Sequence, residues 1–125
     1  MPLYRKLRKI GIPKEQIYFG ISGSNEYRIK GESGFRMYDF CILSHKIIIE
    51  YHGTAWHAKN EEESKYKTNP IGTLLESSWD NDCYKKLLAI QNGFSIIELW
   101  SDEESLNLVK LNDLLCNLMN NQTGE

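Results

Sequence analysis

A chain of 125 residues with 41% hydrophobic and 26% charged residues has the make-up of one globular domain with a real core, which excludes a disordered tail or a fibrous repeat. No apolar run approaches the roughly 20 residues that a membrane span needs, and the basic start MPLYRKLRKIGIPK lacks the apolar stretch of a secretory signal. The net charge of -2 hides an asymmetry: residues 1–67 carry 12 Lys/Arg against 8 Asp/Glu and residues 68–125 carry 3 against 9, so only the first part suits a polyanionic partner.

Pro2 opens a short helix over 2–9, with Leu3 and Leu7 inward and Arg5, Lys6, Arg8 and Lys9 outward. That basic face is either a solvated surface or an arm for phosphates. Gly11 and Pro13 end it. Ile17–Tyr18–Phe19 lead into GISGSN (20–25), a loop. A strand follows through Ile29, with Glu26 and Arg28 on one face and Tyr27 and Ile29 on the other. KGESG (30–34) reads as a hairpin turn, and RMYDFCIL (36–43) as the next strand, with Met37, Asp39 and Cys41 sharing a face. Cys41, Cys83 and Cys116 are odd in number and form no CxxC pair, which fits reduced thiols in a cytoplasmic setting.

After a turn at Ser44–His45, KIIIEY (46–51) is a strand whose three isoleucines call for burial on both faces, hence a central position. Ile48, Glu50 and His52 share a face, and a hairpin with 36–43 sends Asp39 and Glu50 to the same side. Residues 58–78 show no clear period and read as a long loop with one helical turn at 73–76; Lys59, Lys65 and Lys67 either track a nucleic-acid backbone or are simply solvated. A helix over 79–92, capped by Ser78 or Asp80, carries the stripe Trp79, Cys83, Tyr84, Leu87, Leu88 and Gln91 and stops at Gly93. FSIIELW (94–100) is then a strand parallel to 46–51. Ser101 and Glu104 form a capping box for a last helix over 101–119 with the stripe Leu108, Leu111, Leu114, Leu115 and Leu118, and NNQTGE reads as a frayed tail. The fold class is α/β: a single domain, 1–125, whose central mixed sheet of about four strands is flanked by helices.

The stretch DFCILSHKIIIEYHGTAWH (39–57) places acids within apolar strands, where a carboxylate must be paired or hold a metal. Carboxylates on adjacent strands suit Mg2+, which takes oxygen ligands and keeps several waters. A metal so held polarises a phosphoryl oxygen, and a nearby histidine or lysine acts as base or stabilises charge. Asp39, Glu50 and His52 meet that demand. Trp56, Trp79 and Trp100 read as core rather than as stacking platforms for bases, although Trp56 is close enough to the site to touch DNA.

The spacing resembles the PD-(D/E)XK nuclease superfamily: Asp39 stands for its aspartate and Glu50–Tyr51–His52 for the (D/E)XK triplet, with His52 in the place of lysine. Within it, Tyr38–Asp39–Phe40, the segment His52–Gly53–Thr54–Ala55–Trp56–His57, Asp82, and Gly93–Phe94 running into Trp100 resemble the very short patch repair endonucleases and the related phage homing enzymes of the EDxHD pattern. The resemblance covers about residues 25–104 and implies a restriction-endonuclease-like fold and Mg2+-dependent (or Mn2+-dependent) cleavage of DNA. It implies Asp39 as main metal ligand, the Tyr51 carbonyl as second ligand with Glu50 beside it, His57 as general base oriented by Asp82, and His52 as support for phosphate or hydrated metal. Glu26 is the choice for the leading acid, with Glu15 as competitor. The structural zinc set of the repair enzymes has no counterpart, which favours the homing branch, with specificity drawn from a homodimer or a separate DNA-binding module. A repair or restriction nuclease on the same fold, and a nuclease-like module that binds nucleic acid or protein without catalysis, are the alternatives.

Overall fold

The computed structural model describes residues 2–20 and 26–123, with side chains over 3–20 and 26–120. Helix α1 (Pro2–Lys9) is followed by strands β1 (Ile17–Phe19), β2 (Tyr27–Gly31), β3 (Gly34–Tyr38), β4 (Phe40–Ile42) and β5 (Ile47–His52). Then come helices α2 (Glu61–Tyr66) and α3 (Glu76–Gln91), strand β6 (Ser95–Trp100) and helix α4 (Glu104–Thr123).

The main sheet has the order β1-β4-β5-β6. It is antiparallel from β1 to β5, and β5 runs parallel to β6. The isoleucine run explains the central place of β5: Ile48 and Ile49 point to opposite faces and both are buried. On one face, Ile17, Phe40, Ile42, Ile49 and Leu99 pack against Leu7 of α1 and Leu114 and Leu118 of α4. On the other, Cys41 and Ile48 pack with Ile29 and Tyr38 against Leu88 and Ala89 of α3. The parallel pair β5 and β6, with α3 between them in the chain, puts both strand ends on one edge, where open α/β sheets bind ligands.

Several local expectations are corrected. The strand expected over 36–43 breaks at Asp39, and its two pieces take different partners. β3 pairs with β2 in a separate ribbon, whereas β4 pairs with β1 and β5. Asp39 is the handover point: its carbonyl accepts from the Gly20 N–H (3.4 Å) while its own N–H donates to the Glu50 side chain (2.8 Å). The four-stranded sheet therefore takes its fourth strand from β1 and not from 26–29, and the sheet begins before residue 25. Residues 21–25 of the expected loop lie outside the described residues.

The stretch 58–78 is not a long loop. The Asn60 side chain accepts from the Glu63 N–H (2.8 Å) and caps α2, which buries only Ser64 and so has no apolar period to read. Helix α3 starts three residues early, at Glu76, so neither Ser78 nor Asp80 caps it; the Ser78 hydroxyl instead donates to the carbonyls of Trp56 (3.0 Å) and Leu75 (3.1 Å). Its inward face is Asp82, Lys85, Leu88 and Ala89, while Leu87, Cys83 and Gln91 face out. Ser101 does not cap α4, which begins at Glu104; its hydroxyl accepts from the Thr54 N–H (3.0 Å). Leu108 is 63% exposed, so the packed stripe of α4 begins at Leu111, and the tail expected to fray is helical as far as Thr123.

Candidate active site

Two residues apart on β5, Glu50 and His52 point to the face covered by α3 and are only 8% and 5% exposed. Buried charge demands partners. Glu50 finds two: Lys85 of α3 donates to Oε1 (2.7 Å), and the Asp39 N–H donates to Oε2 (2.8 Å). Burial nonetheless pushes the Glu50 carboxyl above its ordinary value, with Lys85 opposing. The Tyr38 hydroxyl donates to the Lys85 carbonyl (2.7 Å), and Tyr38 itself is pushed up to about 12 by burial.

Asp39 is exposed, and its Oδ2 accepts from the Tyr51 N–H (2.9 Å). Asp39 and Glu50 were expected to project to the same side. Instead each carboxylate binds a backbone N–H at or next to the other, and the two line different cavities. Asp39 borders one of about 350 Å³ with Phe40, Ile49, Tyr51 and Leu99, whereas Glu50 lies beneath α3 with His52, Asp82, Lys85 and Glu98. Along a strand the N–H and C=O of one residue point the same way. The Tyr51 carbonyl therefore faces the Asp39 edge, while the His52 carbonyl turns the other way and accepts from the Ser101 N–H (2.9 Å). The second oxygen of Asp39 and the Tyr51 carbonyl are hard oxygen atoms, of the kind that hard cations take as ligands. Glu50 is committed to Lys85 and to the backbone.

Glu26 precedes β2, one step beyond the Tyr27–Tyr38 pair, and so stands across from Asp39. A Cβ on Gly20 would run into the Glu26 side chain, so Glu26, Gly20 and Asp39 meet at one point. Glu15 is exposed in a short turn at Lys14–Gln16.

His57 is brought in by a tight turn: the N–H groups of Trp56 (3.0 Å) and His57 (3.1 Å) both donate to the Gly53 carbonyl. Its Nδ1 lies 2.7 Å from Asp82 Oδ2, and its ring is 5.0 Å from that of His52. Asp82, first through the hydrogen bond, raises the His57 pKa above its ordinary value. With Nδ1–H donated to Asp82, neutral His57 presents Nε2 as a base. His52 Nε2 is 3.2 Å from Glu98, whose other oxygen takes Lys86 (2.9 Å). These contacts, the His52 one first, pull the Glu98 carboxyl down to about 2. Donor atoms of His52, His57 and Asp82 lie within 4.8 Å of one another, a nitrogen-rich set that suits zinc better than magnesium. Trp100 packs on His52 (4.7 Å), whereas Trp56, expected in the core, is 48% exposed beside His57.

The structure thus brings together Glu50, His52, His57 and Asp82, with Asp39, Tyr51 and Glu26 along the adjoining edge. Sequence reasoning missed Lys85, Lys86 and Glu98. Lys85 follows Asp82 by three residues, one turn along the same helix face, and a stripe drawn through Asp82 would have found it. Comparison with known protein families, curated proteins and solved structures finds no match to this chain.

Proposed function

We propose that the chain is a metal-dependent DNA endonuclease with a restriction-endonuclease-like core, of the very short patch repair and phage homing type. The observation that carries the reading is the His57–Asp82 pair, 2.7 Å apart, at the same sheet edge as the carboxylate of Asp39. A histidine oriented by a half-buried acid, at the strand end that also carries oxygen donors for a hard cation, suits hydrolysis of a phosphodiester.

In this reading Asp39 and the Tyr51 carbonyl would hold Mg2+. When bound, the ion supplies Lewis-acid polarisation of the phosphoryl oxygen and a more acidic water. His57 Nε2 takes the proton of the attacking water, whose oxygen bonds to phosphorus as the bond to the leaving oxygen breaks, and the alkoxide released takes a proton from solvent water. Asp82 keeps the imidazole in the required tautomer and stabilises its charged form. Glu50 fixes the Asp39 backbone, and Lys85 compensates the buried charge of Glu50. His52, oriented by Glu98, stands beside His57 to support the phosphate.

Supercoiled plasmid incubated with the protein tests this. Relaxed or linear product is expected with Mg2+ or Mn2+, none with EDTA, and none above background with Asp39→Ala. Equal cutting by Asp39→Ala would remove Asp39 from the site. DNA retardation without cleavage in any metal would favour the non-catalytic alternative.

A further inference from the structure

The β2–β3 ribbon has two unlike faces. The register pairs Arg28 with Met37 and Lys30 with Phe35, so these four side chains share one face, and Tyr27, Ile29, Arg36 and Tyr38 share the other. The second face is docked: Tyr38 and Ile29 are buried, the Ser33 N–H donates to the Tyr84 hydroxyl (3.1 Å), and Arg36 Nε donates to Asn81 (2.8 Å). The first face is open, with Phe35 61% and Met37 46% exposed. Among the described residues neither Arg28 nor Lys30 has an anionic partner.

We infer that this face is a binding surface for a DNA strand running past the candidate active site; the inference rests on the nuclease reading above. Each cation sits across from an apolar side chain, so the face offers charge for phosphates and a flat ring for bases, the combination that holds nucleic acid without reading sequence. Location points to the same occupant. The foot of the ribbon is Glu26 and Asp39, and a cavity of about 480 Å³ joins Arg28, Phe35 and Met37 to Glu26 and Lys85. Phe35 lies four residues from Asp39, about 14 Å along a strand. That equals the axial rise of about four phosphates, so the ribbon is within reach of a strand with its reacting phosphate at Asp39. The docked rear face holds the surface in place before the strand arrives.

The test measures binding without cleavage. Fluorescein-labelled DNA of about 20 nucleotides, single-stranded and duplex, is titrated by anisotropy over a range of salt, with Ca2+ in place of Mg2+. Arg28→Gln/Lys30→Gln is expected to weaken binding about tenfold or more at low salt and to reduce the slope of log K against log salt by roughly 1.5 to 2. Phe35→Ser is expected to weaken single-strand binding several-fold with the slope unchanged. Arg5→Gln/Lys9→Gln, the same loss of charge on α1, is expected to do much less. The inference is overturned if the wild type binds neither DNA, if the two double variants lose affinity equally, or if Phe35→Ser/Met37→Ser turns a dimer into a monomer in sedimentation while DNA affinity holds, which would make the face a self-association surface. Binding through the ribbon with no Mg2+-dependent cleavage would remove the nuclease reading and leave this one. Cleavage by a protein whose ribbon variants bind normally would do the reverse.

Discussion

His57 shows how one contact sets a residue's chemistry. Asp82 raises its pKa, so the imidazole is charged to higher pH than a free histidine. A base must be neutral, so cleavage is expected to rise with pH through a midpoint above the ordinary 6.5. The same contact has the opposite sign for stability: it strengthens the fold below the unfolded pKa and is lost as pH rises through the folded one. Glu98 runs the other way. Its carboxyl is held down to about 2 by His52 and then Lys86, so its contribution is present above the ordinary carboxylate range and fades as pH falls towards 2. Glu98→Gln is expected to cost on the order of 1–2 kcal/mol at pH 7, screening by solvent included, and the difference between the two proteins should shrink as pH falls through about 2 in urea titrations.

Among the elements, the β2–β3 ribbon depends on a glycine. A Cβ on Gly31 would strike the Tyr84 hydroxyl and come within 3.0 Å of Leu88, a buried residue of α3. Gly31→Ala is expected to destabilise by about 1–3 kcal/mol, through overpacking, and to weaken DNA binding by shifting the ribbon. Thermal unfolding with the anisotropy assay checks both effects. This region also shows where sequence patterns stop. The β5 strand was legible because Ile47–Ile49 cannot be satisfied outside a sheet centre, and the parallel β6 followed from the crossover. The break at Asp39 was not legible, because apolar alternation runs straight through it and only the Gly20 and Glu50 contacts divide the strand. Helix α3 was placed but turned wrongly. Its inward face is polar where it meets Glu50 and His57, so the hydrophobic pattern pointed to Leu87, which is exposed. His57 and Asp82 were legible from spacing, while Lys85 needed the helix's true rotation.

For the whole molecule, the sheet separates two tasks. The face under α1 and α4 is an apolar core built on Leu7, Leu114 and Leu118, and the face under α3 carries the ionisable cluster. Leu118→Ala is expected to cost about 2–5 kcal/mol in urea unfolding and to leave the cleavage rate of the folded protein unchanged. The parallel strands end beneath α3, so the cluster gains its partners from three elements far apart in sequence. In the proposed function His57, oriented by Asp82, is the base of the DNA-cleaving centre. The most direct measurement is the pH–rate profile of Mg2+-dependent plasmid cleavage for the wild type and Asp82→Asn. The wild type is predicted to show an acid limb with its midpoint above 6.5, and Asp82→Asn a slower rate with the limb moved to lower pH. An unchanged limb in the variant, or no cleavage by the wild type at any pH, would contradict the account.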